Sequence, residues 1–177
     1  MDWELLRGAS DRTAPTYDER FGPLQRDKYA RALSQVALPE GALLDAGCGT
    51  GLLAEHTGRG GWTGVDLSAA MLVRAAARGV RTVQADLAYL PFADASFAGV
   101  VSFTSLIDLS RAGPALAELA RVLRRDGLLL VTLLPHDVPS DWDDAATSAG
   151  LLEATRFDCG QDIGFAYRRV HVGLKAT

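Results

Sequence analysis

The strongest constraint on this chain is an alternation. Short apolar runs rich in Val, Leu and Ala take turns with stretches of helical spacing. Strands are predicted over 42–45, 62–67, 81–85, 97–103 and 128–134. Helices are predicted between them over 51–57, 69–78 and 114–125, with Ser68 as an N-cap and Gly79 and Gly127 as stops. Pro114 suits the first turn of the third helix. Strand–helix alternation demands a parallel sheet covered by helices on both faces. Beyond it, a helix over 141–149 capped by Ser140 and extended segments over 151–159 and 165–174 predict a closing hairpin. Ahead of it, 1–24 reads as a loosely helical lead-in, 25–37 as a helix, and Leu38-Pro39-Glu40-Gly41 as its break.

The chain's 177 residues suit one domain, 1–177, with 1–37 as a helical lead-in or lid. Its 48% apolar content is enough for a core. A net charge of -4 disfavours a broad basic face for nucleic acid. The longest apolar run, 128–134, is too short for a bilayer, and MDWELLRGAS lacks the apolar stretch of a signal peptide. Cys48 and Cys159 show no metal or disulfide spacing, so a reduced, cytoplasmic setting without a metal is expected.

LLDAGCGTG, from Leu43 to Gly51, carries the chemistry. Its glycines, Gly47, Gly49 and Gly51, let a ligand approach the main chain closely. The spacing is G-x-G-x-G, with Leu52 where a dinucleotide fingerprint has its third glycine. Asp45 also sets a negative charge where a pyrophosphate would lie, and like charges repel strongly in a dry site. No Gly-Lys-Ser or Gly-Lys-Thr follows, which excludes a P-loop. A ligand with an ammonium for Asp45, a carboxylate for backbone N–H groups and a nucleoside end answers all these features. S-adenosylmethionine is such a ligand. Asp66, in GVDLS, lies 17 residues beyond Gly49 (66 − 49) and suits ribose hydroxyls. Asp86, in QADL, suits an adenine amino group, with Leu87 against the ring.

With these residues the chain resembles the class I S-adenosylmethionine-dependent methyltransferases, in the branch of the ubiquinone and menaquinone-biosynthesis enzymes. The resemblance rests on APTYDERF (14–21), LLDAGCGTGLL (43–53), GVDLS (64–68), QADLAYLPFADASFAGVVS (84–102) and ELARVLRRDGLLLVT (118–132). It implies a Rossmann-like, doubly wound α/β fold with seven strands, order 3-2-1-4-5-7-6 and strand 7 antiparallel. It implies Asp45, Gly47 and Gly49 around the methionine end, Asp66 at the ribose, and Asp86 with Leu87 at the adenine. Tyr17, Cys48, Gly51, Leu52, Leu67, Met71, Ala85 and Phe103 complete the candidate cofactor contacts. For Met71 a core position is the competing reading, and Cys48 reads equally as a small residue between glycines.

Asp108 reads either as a general base facing the transferred methyl or as a helix-start acid. The chain has no Asn/Asp-Pro-Pro-Tyr/Phe segment after its fourth strand, which favours a small-molecule acceptor over nucleic acid. The expected function is in-line methyl transfer from S-adenosylmethionine, leaving S-adenosylhomocysteine, by a monomer or homodimer away from membranes. The competing functions are a cofactor-binding module or partner subunit without methyl transfer and, disfavoured by Asp45 and Leu52, a nicotinamide oxidoreductase. Trp3, Tyr17, Phe21 and Trp142 are the aromatics expected to wall an apolar acceptor pocket.

Overall fold

The computed structural model describes residues 3–106 and 112–170. Its centre is a sheet of β1 (Leu43–Ala46), β2 (Trp62–Asp66), β3 (Arg81–Gln84), β4 (Phe97–Phe103), β5 (Leu123–Leu133), β6 (Leu151–Cys159) and β7 (Asp162–Arg169), ordered β3-β2-β1-β4-β5-β7-β6. Strands β1 to β5 pair in parallel, and β7 runs antiparallel to both β5 and β6. This is the expected topology.

The central strands explain themselves by their side chains. Every residue of β1 and β4 is buried, so both faces must be covered. Strand side chains alternate between the two faces. Leu44, Val100 and Leu129 join one core with Leu116 and Leu119 of α5 (Ala112–Val122) and Trp142 of α6 (Trp142–Ser148). Their neighbours Leu43, Val101 and Leu130 join the other. That second core takes Tyr29 and Ala32 from α2 (Tyr17–Gln35), Leu52 and Leu53 from α3 (Leu52–Thr57), and Leu72 and Ala75 from α4 (Ala69–Ala77). Each buried leucine or valine among them contributes about 1.5–3 kcal/mol.

Four local expectations are corrected. The third helix stops at Val122 rather than 125, because Leu123 is fully buried and pairs with Phe97. The register then slips before Leu128 meets Gly99, leaving Arg124, Arg125 and Asp126 exposed. The cap of α6 is Asp141, without a side-chain hydrogen bond, not Ser140; burial of the Trp142 ring fixes where that helix begins. The last strand starts at Asp162, straight after a turn with Gly160 at φ 82, rather than at 165. The lead-in is regular helix: α1 (Trp3–Thr13), a 3₁₀ turn at Ala14–Thr16, then α2, which carries Pro23 inside it. No helix among the described residues is long and apolar enough to cross a membrane.

Candidate cofactor site

The glycine loop folds back over the end of β2. Gly47 N and Cys48 N both donate to Val65 O, at 2.7 and 2.9 Å. Gly47 holds φ 81, and a Cβ there would stand 2.1 Å from the Cβ of Ser105, so only glycine fits. Gly51, at φ 82, leads into α3. Gly49, at φ 51, has nothing within 4 Å of where a side chain would stand, so its main chain faces open space.

Two carboxylates meet this loop. Asp66 accepts from Gly49 N through Oδ2 and from Ser68 N through Oδ1, both at 2.9 Å. Burial raises its pKa, and those N–H groups oppose the rise. Asp45 is 4% exposed, and its carboxylate has no hydrogen-bond partner among the described residues. Burial, followed by the charge of Asp66, pushes its pKa up to about 7. A buried carboxylate without a donor is costly. Beside an open glycine loop it fits a cationic ligand group, and with Asp66 it fits the amino-acid and ribose ends of S-adenosylmethionine.

The structure brings Asp45, Gly47, Gly49 and Asp66 together. Asp86 lies just past β3, where its Oδ1 accepts from Ala88 N at 2.9 Å; Ala85 and Leu87 pack against the first core. Ala85 N reaches Asp66 O at 3.3 Å, and Leu67 O accepts from Gln84 Nε2 at 2.8 Å. Cys48, Leu52 and Phe103 are buried in the second core, and Met71 is buried as well. Cys48 packs where a Cβ on Gly64 would stand 2.7 Å from its sulfur, and burial pushes its thiol up. Tyr17 is half-buried, with its hydroxyl accepting from Gln25 Nε2 at 3.2 Å; burial raises its pKa, Gln25 opposes this, and Asp66 and Asp45 add to the rise. Asp108 lies outside the described residues. Trp142 is not a pocket wall: it is 1% exposed, 5.6 Å from the Phe165 ring, and donates to Tyr167 OH at 2.8 Å.

Sequence reasoning missed the residues that tie the lead-in to this site. Asp11 accepts from Ser68 Oγ at 2.5 Å and from Ala70 N at 3.3 Å. Asp18 accepts from Thr50 Oγ1, within the glycine loop, at 2.5 Å and from Arg78 Nη2 at 2.7 Å. Arg78 also donates to Thr50 O and to Glu55. Among the described residues, no three His, Cys, Asp or Glu side chains converge as metal ligands.

The fold is that of the class I S-adenosylmethionine-dependent methyltransferases. Residues 44–131 match a family described as a methyltransferase domain, and the chain belongs to this type 11 family. It is 34% identical over 189 residues to a malonyl-[acyl-carrier protein] O-methyltransferase of Laribacter hongkongensis, covering 95% of this chain and 63% of the relative. It is 38% identical over 113 residues to a demethylmenaquinone methyltransferase of Mycobacterium tuberculosis, covering 61% of this chain and 48% of that one. The chain thus spans about half to two thirds of these relatives' length. A crystal structure from Thermotoga maritima, described as a methyltransferase and possible histamine N-methyltransferase, superposes with a TM-score of 0.75 at 20% identity, covering 93% of this chain and 99% of that one.

Proposed function

We propose that this chain binds S-adenosylmethionine and catalyses transfer of its methyl group to a small-molecule acceptor, releasing S-adenosylhomocysteine. The observation that carries the reading is Asp45: a buried carboxylate without a hydrogen-bond donor among the described residues, set against a glycine loop fastened to Asp66. Asp45 attracts the ammonium of the amino-acid end. Asp66 keeps lone pairs beyond its two backbone bonds, since a carboxylate offers about four acceptor positions, and these serve the ribose hydroxyls. Asp86 and Leu87, past β3, take the adenine. Bound there, the cofactor supplies a methyl on a sulfonium, so the chain's own task is to hold the acceptor in line with it.

The relatives act on small or carrier-bound acceptors by their names, and net charge -4 supports a small-molecule rather than a nucleic-acid acceptor here. A cytoplasmic monomer or homodimer, built as one domain with α1 and the start of α2 as a lid, completes the reading. Calorimetry tests it directly. S-adenosylhomocysteine should bind and NAD should not; binding of NAD alone sinks the assignment.

A further inference from the structure

A second buried polar group lies where α2 crosses the carboxyl ends of β4 and β5. Lys28 of α2 is 3% exposed and meets Asp162 Oδ2, at the start of β7, across 2.9 Å. Thr104 Oγ1 and Thr132 Oγ1 donate to the same Oδ2 at 2.6 and 2.7 Å, and Lys28 Nζ also donates to Thr104 Oγ1. One carboxylate oxygen thus receives three donors. The other, Asp162 Oδ1, is buried with no hydrogen-bond partner among the described residues. Gln25 Oε1, one turn before Lys28 on α2, is buried and bare in the same way.

A strut between helix and sheet needs only the saturated oxygen. Leaving two further acceptors buried and unpaired costs stability unless something donates to them. The location says what. Ligands of open α/β sheets bind beyond the carboxyl ends of the strands. Thr104 directly follows β4 at φ 50, an unusual backbone for a β-branched residue, and the next residue, Ser105, packs against Gly47. Gln25 reaches the loop side through Tyr17, whose hydroxyl feels Asp66 and Asp45.

Resting on the methyltransferase reading, we propose that Asp162 Oδ1 and Gln25 Oε1 form the acceptor subsite and that it takes a hydrogen-bond donor, a hydroxyl or an amine, rather than a carboxylate or phosphate. The charge of Lys28 is already neutralised by Asp162, so an anion gains no free cation there.

The test is calorimetry on the full chain, first with S-adenosylhomocysteine and then, with that ligand saturating, with matched probes: phenol against anisole, benzylamine against toluene, and benzoate as the anion. Phenol or benzylamine should bind about tenfold tighter than its donorless partner, and benzoate more weakly than either. Phenol and benzylamine separate a hydroxyl from an amine. In Asp162→Asn the three donors draw the amide oxygen to the Oδ2 position and leave NH₂ at the Oδ1 position. The donor preference should then be lost while S-adenosylhomocysteine binds within twofold of wild type. Gln25→Met, outside the ion pair, should weaken the donor probe about fivefold and serves if Asp162→Asn fails to fold. Failure of S-adenosylhomocysteine to bind wild type removes the methyltransferase reading and this subsite with it. If it binds, but no donor probe is preferred or neither variant changes the preference, the cluster is a strut and the proposal is overturned.

Discussion

The backbone N–H of Gly49 donates to Oδ2 of Asp66 across 2.9 Å, so one carboxylate fastens the loop after β1 to the end of β2. The same group is proposed to hold the ribose, which couples loop order to cofactor binding. Asp66→Ala removes the bonds to Gly49 N and Ser68 N as well as those to the ribose. We expect S-adenosylhomocysteine affinity to fall by about 1–3 kcal/mol, with a lower melting temperature in the ligand-free protein. Calorimetry showing unchanged affinity removes the ribose assignment.

Asp45 gives the site a pH dependence. Its ordinary pKa is 3.8, and burial with the Asp66 charge lifts it to about 7 in the folded chain. Between those values the unfolded chain has shed the proton that the folded chain keeps. The contribution of Asp45 to stability therefore falls as pH rises from 4 to 7 and is level above that. Affinity for an ammonium runs the other way, because only the ionised carboxylate attracts it. S-adenosylhomocysteine should bind about tenfold more weakly at pH 5.5 than at pH 7.5. Asp45→Asn should flatten that profile and bind weakly throughout; a wild-type profile as flat as the variant's contradicts the assignment.

The lead-in is held at the glycine loop by Asp18, which takes Thr50 Oγ1 and Arg78 together. Asp18→Ala should cost about 1 kcal/mol of cofactor affinity and raise hydrogen exchange at residues 47–51. If the segment acts as a lid, turnover should fall more than affinity. Equal loss of turnover and thermal stability would instead assign it to packing.

The parts legible from sequence are the parts whose signals are local. Asp45, Gly47, Gly49 and Asp66 lie at or just past strand ends within 22 residues (45 to 66), and the strand over 97–103 shows as a largely apolar run interrupted by Ser102. The β5 start was not legible, because pairing of Leu123 with Phe97 overrides the helical spacing before it. Nor was the Lys28–Asp162 pair, whose members are 134 residues apart (162 − 28). A faint signal existed. Lys28 is one of two lysines in a chain whose other basic residues are all Arg, and it stands four residues before the buried Ala32 on α2. Periodicity reads such a lysine as a solvated flank; only the fold shows it facing inward. Trp142 fails in the opposite sense: a position near the expected acceptor wall in sequence became core because α6 packs against the first sheet face.

Gly47 and Gly49 separate folding from binding within one loop. Both hold positive φ, at 81 and 51, so alanine at either position carries backbone strain of about 1–2 kcal/mol. The surroundings then differ. At Gly47 the added Cβ would lie 2.1 Å from the Ser105 Cβ and 2.5 Å from its Oγ. That serine is pinned, because its Oγ donates to Ala46 O at 2.7 Å and meets Ser102 Oγ at 2.5 Å. Gly47→Ala must therefore shift the segment after β4 or the loop itself, and should lower the melting temperature by several degrees along with cofactor affinity. At Gly49 the new methyl meets no protein atom within 4 Å. It would occupy the open space that the bound cofactor is proposed to use. Gly49→Ala should lose little more stability than its backbone strain, while S-adenosylhomocysteine affinity drops by about tenfold or more. Thermal melts and calorimetry on the two variants check the contrast. A Gly49→Ala protein that binds as tightly as wild type places the cofactor away from this loop.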